Sequence, residues 1–125
     1  MTTLHANSAR DALTKAESLC LLAGIDLPIS AIRRQIASAI DLVIQVKRFR
    51  TSERRVVAIS EVTGMEGETI TLQDIFLFEK TGITESGKVV GRFRATGIRP
   101  KFYDRLKQSG IVLPTQMFQT VVEIN

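Results

Sequence analysis

The pattern of apolar and polar positions predicts an amphipathic helix at the start of the chain. Ser8 followed by Asp11 has the spacing of a helix start, with a hydroxyl N-cap and an acid in the first turn. Apolar residues then recur at helical period until Gly24, where the helix is expected to end. Cys20 lies on this apolar stripe, so we expect it to fill the core.

A second, shorter helix is predicted after Pro28, with Ser30 as its cap and an apolar stripe between residues 29 and 40. The periodicity then changes. The run from Leu42 to Val46 is apolar on both sides, which is typical of a buried strand. A layered α/β fold is therefore expected.

The middle of the chain has the alternation of β-strands. Residues 55–62 form a β-rich run, and the alternation over residues 69–79 fits antiparallel pairing back onto it. The turn between them is expected at Gly64-Met65-Glu66-Gly67, because glycine adopts positive φ at low cost. A polar loop at residues 82–88 precedes a further predicted strand at 89–95.

A third helix is predicted over residues 101–109, with Pro100 at its first turn and Gly110 after its end. The tail, residues 111–125, has enough apolar side chains to dock but is too mixed to assign to helix or strand. With 125 residues, the whole chain, 1–125, suits one domain with one core, and its β-rich part is expected over residues 41–95.

Charge and composition say more about the cellular compartment of the protein than about its activity. Seventeen Lys and Arg against thirteen Asp and Glu give a net charge of +4, which suits phosphates, anionic lipid or acidic surfaces alike. The one cysteine excludes an internal disulfide, and no apolar run approaches the roughly 20 residues that cross a bilayer. Since the first residues also lack signal-peptide features, we expect a reducing, cytosolic setting.

The densest basic stretch, Lys47-Arg48-Phe49-Arg50 followed by Arg54-Arg55, has two interpretations. One interleaved aromatic residue makes it a possible nucleic-acid patch. Two strand ends and a solvated turn explain it as well, because charges there keep exposed edges from pairing with other chains. We do not expect a nucleic-acid partner.

The sequence has an incomplete match to a phosphate-binding loop and too few ligands for a zinc site. Gly82 to Lys88 matches the first seven positions of a phosphate-binding loop, but Val89 stands where that motif needs a hydroxyl for magnesium, and a β-type run follows instead of a helix. The segment therefore predicts a hairpin loop. One histidine, His5, and one cysteine supply no zinc-ligand set, and no metal site is expected.

Several short motifs nevertheless follow one another in a specific order. They are Met1-Thr2-Thr3-Leu4-His5-Ala6-Asn7-Ser8, Arg10-Asp11-Ala12-Leu13, Arg34-Gln35-Ile36-Ala37-Ser38-Ala39-Ile40-Asp41-Leu42, Gly64-Met65-Glu66-Gly67 and Gly91-Arg92-Phe93-Arg94-Ala95-Thr96-Gly97. From Met1 to about Phe118, this combination resembles the C-terminal part of secretion ATPases of the CpaF/Tad pilus branch, within the type II/type IV secretion ATPase superfamily.

The resemblance implies the C-terminal portion of a RecA-like ATPase domain, in which the histidine box lies beside the nucleotide. His5 would then sense the terminal phosphate as a catalytic and nucleotide-binding residue. The family's P-loop, its magnesium-ordering acidic strand and its Asp box have no match among these residues. This chain alone is therefore expected neither to bind ATP tightly nor to hydrolyse it.

The resemblance also implies a hexameric ring that uses ATP and magnesium to drive protein export or pilus assembly. Its place would be cytoplasmic and peripheral to the inner membrane, with membrane platform proteins as partners. Because cations stabilise charge on transferred phosphate, Arg33, Arg34 and Arg48 are candidates for phosphate or subunit contacts. A solvated helix face and a strand end are the alternative interpretation of these arginines.

A second hypothesis is a stand-alone docking module, without catalysis, that binds secretion ATPase subunits or platform proteins. The retained His5 and its box favour the ATPase fragment. In that case the strand at residues 42–46 lacks strand partners, so we also expect self-association through its exposed edge.

Overall fold

The computed structural model describes residues 1–49 and 53–124, and within them the chain is an α/β fold. Its helices are α1 (Ala9–Leu22), α2 (Ile29–Ala39) and α3 (Phe102–Gln108). Its strands are β1 (Leu42–Arg48), β2 (Arg54–Glu66), β3 (Thr69–Ile83), β4 (Val89–Ala95) and β5 (Val121–Ile124), with a short 3₁₀ helix at Thr115–Gln119. The sequence prediction of helices flanking a β-rich middle is confirmed at this level.

The five strands form one antiparallel sheet in the order β1-β2-β3-β4-β5. Each strand pairs with the one before it in sequence, so short hairpins suffice for β2 to β4. The long β2 and β3 carry the hairpin that the alternation predicted. The unassigned tail supplies β5, which pairs with β4 and places the side chain of Phe118 in the core.

The prediction of β1 as a buried strand is wrong. β1 lies at the edge of the sheet, and Leu42, Ile44 and Val46 are 39, 56 and 51% exposed. Helices cover only the face to which Val43 points, where it packs against the core formed by α1 and α2. A run that is apolar on both sides therefore does not report burial on both sides.

The predicted turn at residues 64–67 is also shifted. β2 continues to Glu66, and the chain reverses over Gly67 and Glu68, with Glu66 paired to Thr69. Gly67 has φ 62°, as the primed two-residue hairpin turns require. Gly64 instead lies at a register shift within the strand, where its φ of 132° bends the ribbon without ending it.

The helix boundaries follow the local signals with two corrections. Ser8 caps α1 as predicted, accepting a hydrogen bond from the Asp11 amide. Ser30 does not cap α2, because Pro28 holds the N-cap position and its carbonyl already accepts from Ala31 and Ile32. α3 is shorter than predicted, beginning after Lys101.

Buried residues form two clusters, one on each face of the sheet. The first joins α1 and α2 to the sheet through Leu13, Ile32, Ile36, Val62 and Ile70. The second contains Ile75, Tyr103 and Phe118 beneath α3 and the 3₁₀ helix. Successive strand side chains point to opposite faces. Val62 accordingly faces α1 and α2, while Glu61 faces α3.

None of the helices in the described part of the chain is both long enough and apolar enough to pass through a bilayer.

Candidate histidine-box site

The histidine-box segment leads directly into α1, and its last two residues, Asn7 and Ser8, contribute to the cap of that helix. The Ser8 hydroxyl accepts from the Asp11 amide at 3.0 Å, and the Asp11 carboxylate accepts from the Asn7 amide at 2.9 Å. The first bond satisfies one of the amides that a helix start leaves without an intrahelical partner, and the second ties the residue before the N-cap to the first turn. The side chains of Ser8 and Asp11, two of the residues that carry the family resemblance, thus have a structural role.

His5 lies before this cap with its side chain exposed. Two hydrogen bonds fix the backbone around it. Lys15 Nζ donates to the His5 carbonyl at 2.6 Å, and Gln45 Nε2 on β1 donates to the Ala6 carbonyl at 3.0 Å. The segment is therefore held between α1 and β1, while the imidazole remains directed to a surface that a further protein element could cover.

Arg33, a candidate for a phosphate or subunit contact, is engaged within the fold. Its Nε donates to the Glu17 carboxylate on α1, and its Nη1 donates to the Glu68 carbonyl at 3.3 Å. The Glu17 side chain is only 13% exposed, so the pair is partly shielded from water. These contacts link α2 to α1 and to the β2–β3 turn, which gives Arg33 a structural role.

Arg34 points to solvent from the next position on α2 and is exposed. The structure does not gather His5 and Arg33 into one site. His5 contacts Lys15, whereas Arg33 contacts Glu17 two residues further along α1. Residues two apart on a helix do not share a face, so the two candidates touch different sides of α1.

The basic stretch lies at one end of the β1–β2 ribbon, with Arg50 outside the described residues. The register sets Lys47 opposite Arg55 and Arg48 opposite Arg54. Lys47 lies 5.5 Å from the centre of the Phe49 ring, and Arg55 lies 5.6 Å from the centre of the Phe78 ring and contacts Glu53 at 2.9 Å. Lys47 and Arg55 therefore already have partners within the fold.

The segment that imitates a phosphate-binding loop is a hairpin loop, as predicted. Ile83 pairs with Val89, and the Thr84 amide donates to the Lys88 carbonyl at 2.8 Å. A strand follows Lys88, so the helix whose amides would face a phosphate is replaced by β4.

The described residues do not fit a magnesium–ATP group. Over residues 1–49 and 53–124, no three His, Cys, Asp or Glu side chains cluster so as to hold a metal ion. Arg33 is committed to Glu17, and His5 provides a single imidazole on an open surface. A nucleotide site that includes His5 needs its phosphate-binding and magnesium-binding groups from outside this segment.

One buried acid was not singled out from the sequence. Glu61 is 3% exposed and accepts hydrogen bonds from Gln73 Nε2 and from the amides of Lys101 and Phe102. The available signal was an acid within the apolar β-run Ile59-Ser60-Glu61-Val62. Such a position requires a partner when it is buried.

Comparisons with known proteins give no assignment: no protein-family model matches the chain, and no curated protein matches it significantly.

Proposed function

We propose that this chain works as the C-terminal part of a hexameric secretion ATPase of the CpaF/Tad type, with a RecA-like catalytic domain. The assembled enzyme would couple ATP hydrolysis to protein export or pilus assembly at the cytoplasmic side of the inner membrane. The observation that supports this most directly is that the end of the histidine box stabilises the start of α1, whereas the His5 side chain makes no part of that cap. Ser8 caps α1 and Asp11 binds the Asn7 amide, while the His5 side chain is left exposed.

An exposed imidazole on a fixed backbone suits contact with a group supplied by another part of a larger assembly. Lys15 and Gln45 hold the carbonyls of His5 and Ala6, so the position of the segment is set before any partner arrives. Preorganisation of this kind lowers the entropic cost of forming a site. The ATP–magnesium chemistry itself belongs to the intact enzyme.

The first test is the size of the native polypeptide, measured by immunoblot of source cells with antibody raised against this chain. A band several times heavier than 13.9 kDa supports the ATPase fragment. A single band at 13.9 kDa contradicts it. As a second test, ATP turnover by the purified chain that His5→Ala abolishes would contradict the expectation that the chain is inactive alone.

A docking module is the second candidate, and one observation favours it. The described strands are all paired in one sheet, and the helices bury a cluster on each face of it. Such a fold has the features of a unit that forms without a larger domain. A native band at 13.9 kDa, together with retention of ATPase subunits or platform proteins on the immobilised chain, would support this candidate.

A further inference from the structure

Among residues 1–49 and 53–124, the outer edge of β1 has no strand paired with it, so its backbone groups are unpaired within that part of the chain. At one end the Val62 amide donates to the Asp41 carbonyl, and at the other the Phe49 amide donates to the Glu53 carbonyl, so these odd-numbered positions face β2. Backbone groups on a strand alternate between its two sides. The amides and carbonyls of Leu42, Ile44 and Val46 therefore face away from the sheet.

The side chains on this edge are unusually apolar for an unprotected strand. Leu42, Ile44 and Val46 lie on the sheet face opposite α1 and α2, and each is more than a third exposed. Charge enters the strand only at Lys47 and Arg48. Edge strands without a central charge, a proline or a cover are templates for pairing with another chain.

We infer that two copies of this chain pair through β1, antiparallel, about a two-fold axis at Ile44. Ile44 then lies opposite Ile44 of the second copy, and Leu42 lies opposite Val46 of the second copy. Asp41 lies opposite Lys47 of the second copy, which sets unlike charges across the pair. The result is a continuous ten-stranded antiparallel sheet.

Registers displaced toward Arg48 fit less well. An axis at Gln45 sets Leu42 opposite Arg48 of the second copy, and an axis at Val46 sets Ile44 opposite that arginine. Both exchange an apolar pair for an apolar–charged one and lose the contact between Asp41 and Lys47. The β1 strand is also suited to symmetric pairing because the extra residue at its register shift, Val57, belongs to β2.

A second copy is also a better partner at β1 than β5 would be. β5 has four residues against seven in β1, so it offers a shorter ladder. Pairing of β1 with β5 is head-to-tail and leaves one free β1 and one free β5 at the ends, so it extends into filaments unless it closes into a ring. Pairing of β1 with β1 is self-complementary and covers both β1 edges at once.

Cysteine cross-linking tests the register directly. Both variants carry Cys20→Ser to remove the native thiol. A hydrogen-bonded antiparallel pair has Cα atoms about 5.5 Å apart, within disulfide range, so Ile44→Cys is expected to give a covalent dimer under mild oxidation. Val46→Cys is the matched control, because the two Val46 positions are offset by four residues in this register. Cross-linking of Val46→Cys without Ile44→Cys would overturn the proposal.

Sedimentation equilibrium of the unmodified chain tests the assembly itself. We expect a mass of twice 13.9 kDa at micromolar concentration. Ile44→Lys sets two cations opposite each other and is expected to raise the dimer Kd about tenfold or more. Val122→Lys is the control on the other edge, where Val122 is 52% exposed, and it should leave the Kd unchanged. A monomer, or a ladder of larger species, would overturn the proposal.

A charge exchange provides a test that misfolding cannot imitate. Asp41→Lys and Lys47→Asp each remove the unlike pair and should weaken the dimer, although Asp41 also contacts Arg105 at 3.3 Å within its own copy. The double variant restores unlike charges across the two-fold axis. Recovery of dimerisation in the double variant supports the register, and a further loss contradicts it.

Discussion

Glu61 on β2 holds the first turn of α3 against the sheet through two backbone amides. Its carboxylate oxygens accept from the Lys101 and Phe102 amides, both at 2.9 Å, across about forty positions of sequence. Gln73 on β3 donates a third hydrogen bond at 2.8 Å. A carboxylate at a helix start meets both the free amides and the positive end of the helix dipole. This contact fixes α3 above Ile75 and Phe118.

Loss of this carboxylate should destabilise the whole fold. We expect Glu61→Ala to lower the free energy of unfolding by about 3 kcal/mol, because it leaves buried donors unsatisfied. Glu61→Gln keeps the shape of the side chain but replaces one acceptor by a donor. Its decrease in the free energy of unfolding should therefore be smaller than that of Glu61→Ala. Urea denaturation measures the free energy of unfolding of the parent and of each variant. Glu66→Ala, an exposed acid on the same strand, is the control and should stay near the parent value.

Gly91 on β4 is required for close packing against β3. A Cβ at this position would meet the Glu79 carbonyl oxygen and would lie 2.7 Å from Cζ of Phe78. Gly91→Ala is therefore expected to cost about 2 kcal/mol or more, since backbone cannot move aside as a side chain can. Gly82→Ala has only an ordinary contact at 3.7 Å and should be far milder. Thermal melts in which Gly91→Ala and Gly82→Ala lower the melting temperature equally would contradict this account.

Substitution of Arg33 should lower the stability of the fold more than substitution of the adjacent Arg34. Arg33→Ala removes the contacts to Glu17 and Glu68, so we expect a loss of about 1 kcal/mol. Arg34→Ala removes an exposed side chain and should change the free energy of unfolding little. A double-mutant cycle between Arg33 and Glu17 isolates their coupling. If the cycle shows no measurable coupling, the Arg33–Glu17 pair does not stabilise the fold, and Arg33 again becomes a candidate for contact with a partner.

Substitutions of Ser8 and His5 in the histidine box should likewise differ in their effect on stability. Ser8→Ala removes the N-cap of α1 and is expected to cost about 1 kcal/mol. His5→Ala should leave the thermal midpoint close to the parent value, because the His5 side chain is exposed and the hydrogen bond that holds this residue within the described part of the chain is made by its backbone carbonyl. Circular dichroism during heating measures both variants. A clear loss on His5→Ala would mean that the imidazole supports the fold and is not reserved for a partner.

Much of the fold was predictable where the signal is local. The spacing from Ser8 to Asp11 identified the α1 cap, and the alternation after Thr69 identified β3. The failed eighth position, Val89, marked a hairpin loop in place of a phosphate site. In each case the residues that decide the structure lie within a few positions of one another, so their spacing carries the information.

The candidate site was less predictable. The box and its order were visible in the sequence, but the engagement of Arg33 by Glu17 depends on how α1 and α2 pack. The spacing of 16 residues between them gives no periodic signal. The pairing of Glu61 with Phe102 is hidden for the same reason, since no local pattern announces a cap that comes from another element.

The order of elements up to α3, the cap of α1 and the hairpin loop at residues 82–88 follow from the sequence alone, because they depend on backbone preferences and short-range hydrogen bonds. The packing of elements that are distant in sequence sets β1 at the edge of the sheet and α1 and α2 opposite α3. It also pairs Arg33 with Glu17 and leaves Arg34 exposed. Apolar alternation says which residues can be buried. What covers them depends on the packing of elements far apart in the chain, and on any second chain that pairs with the free edge.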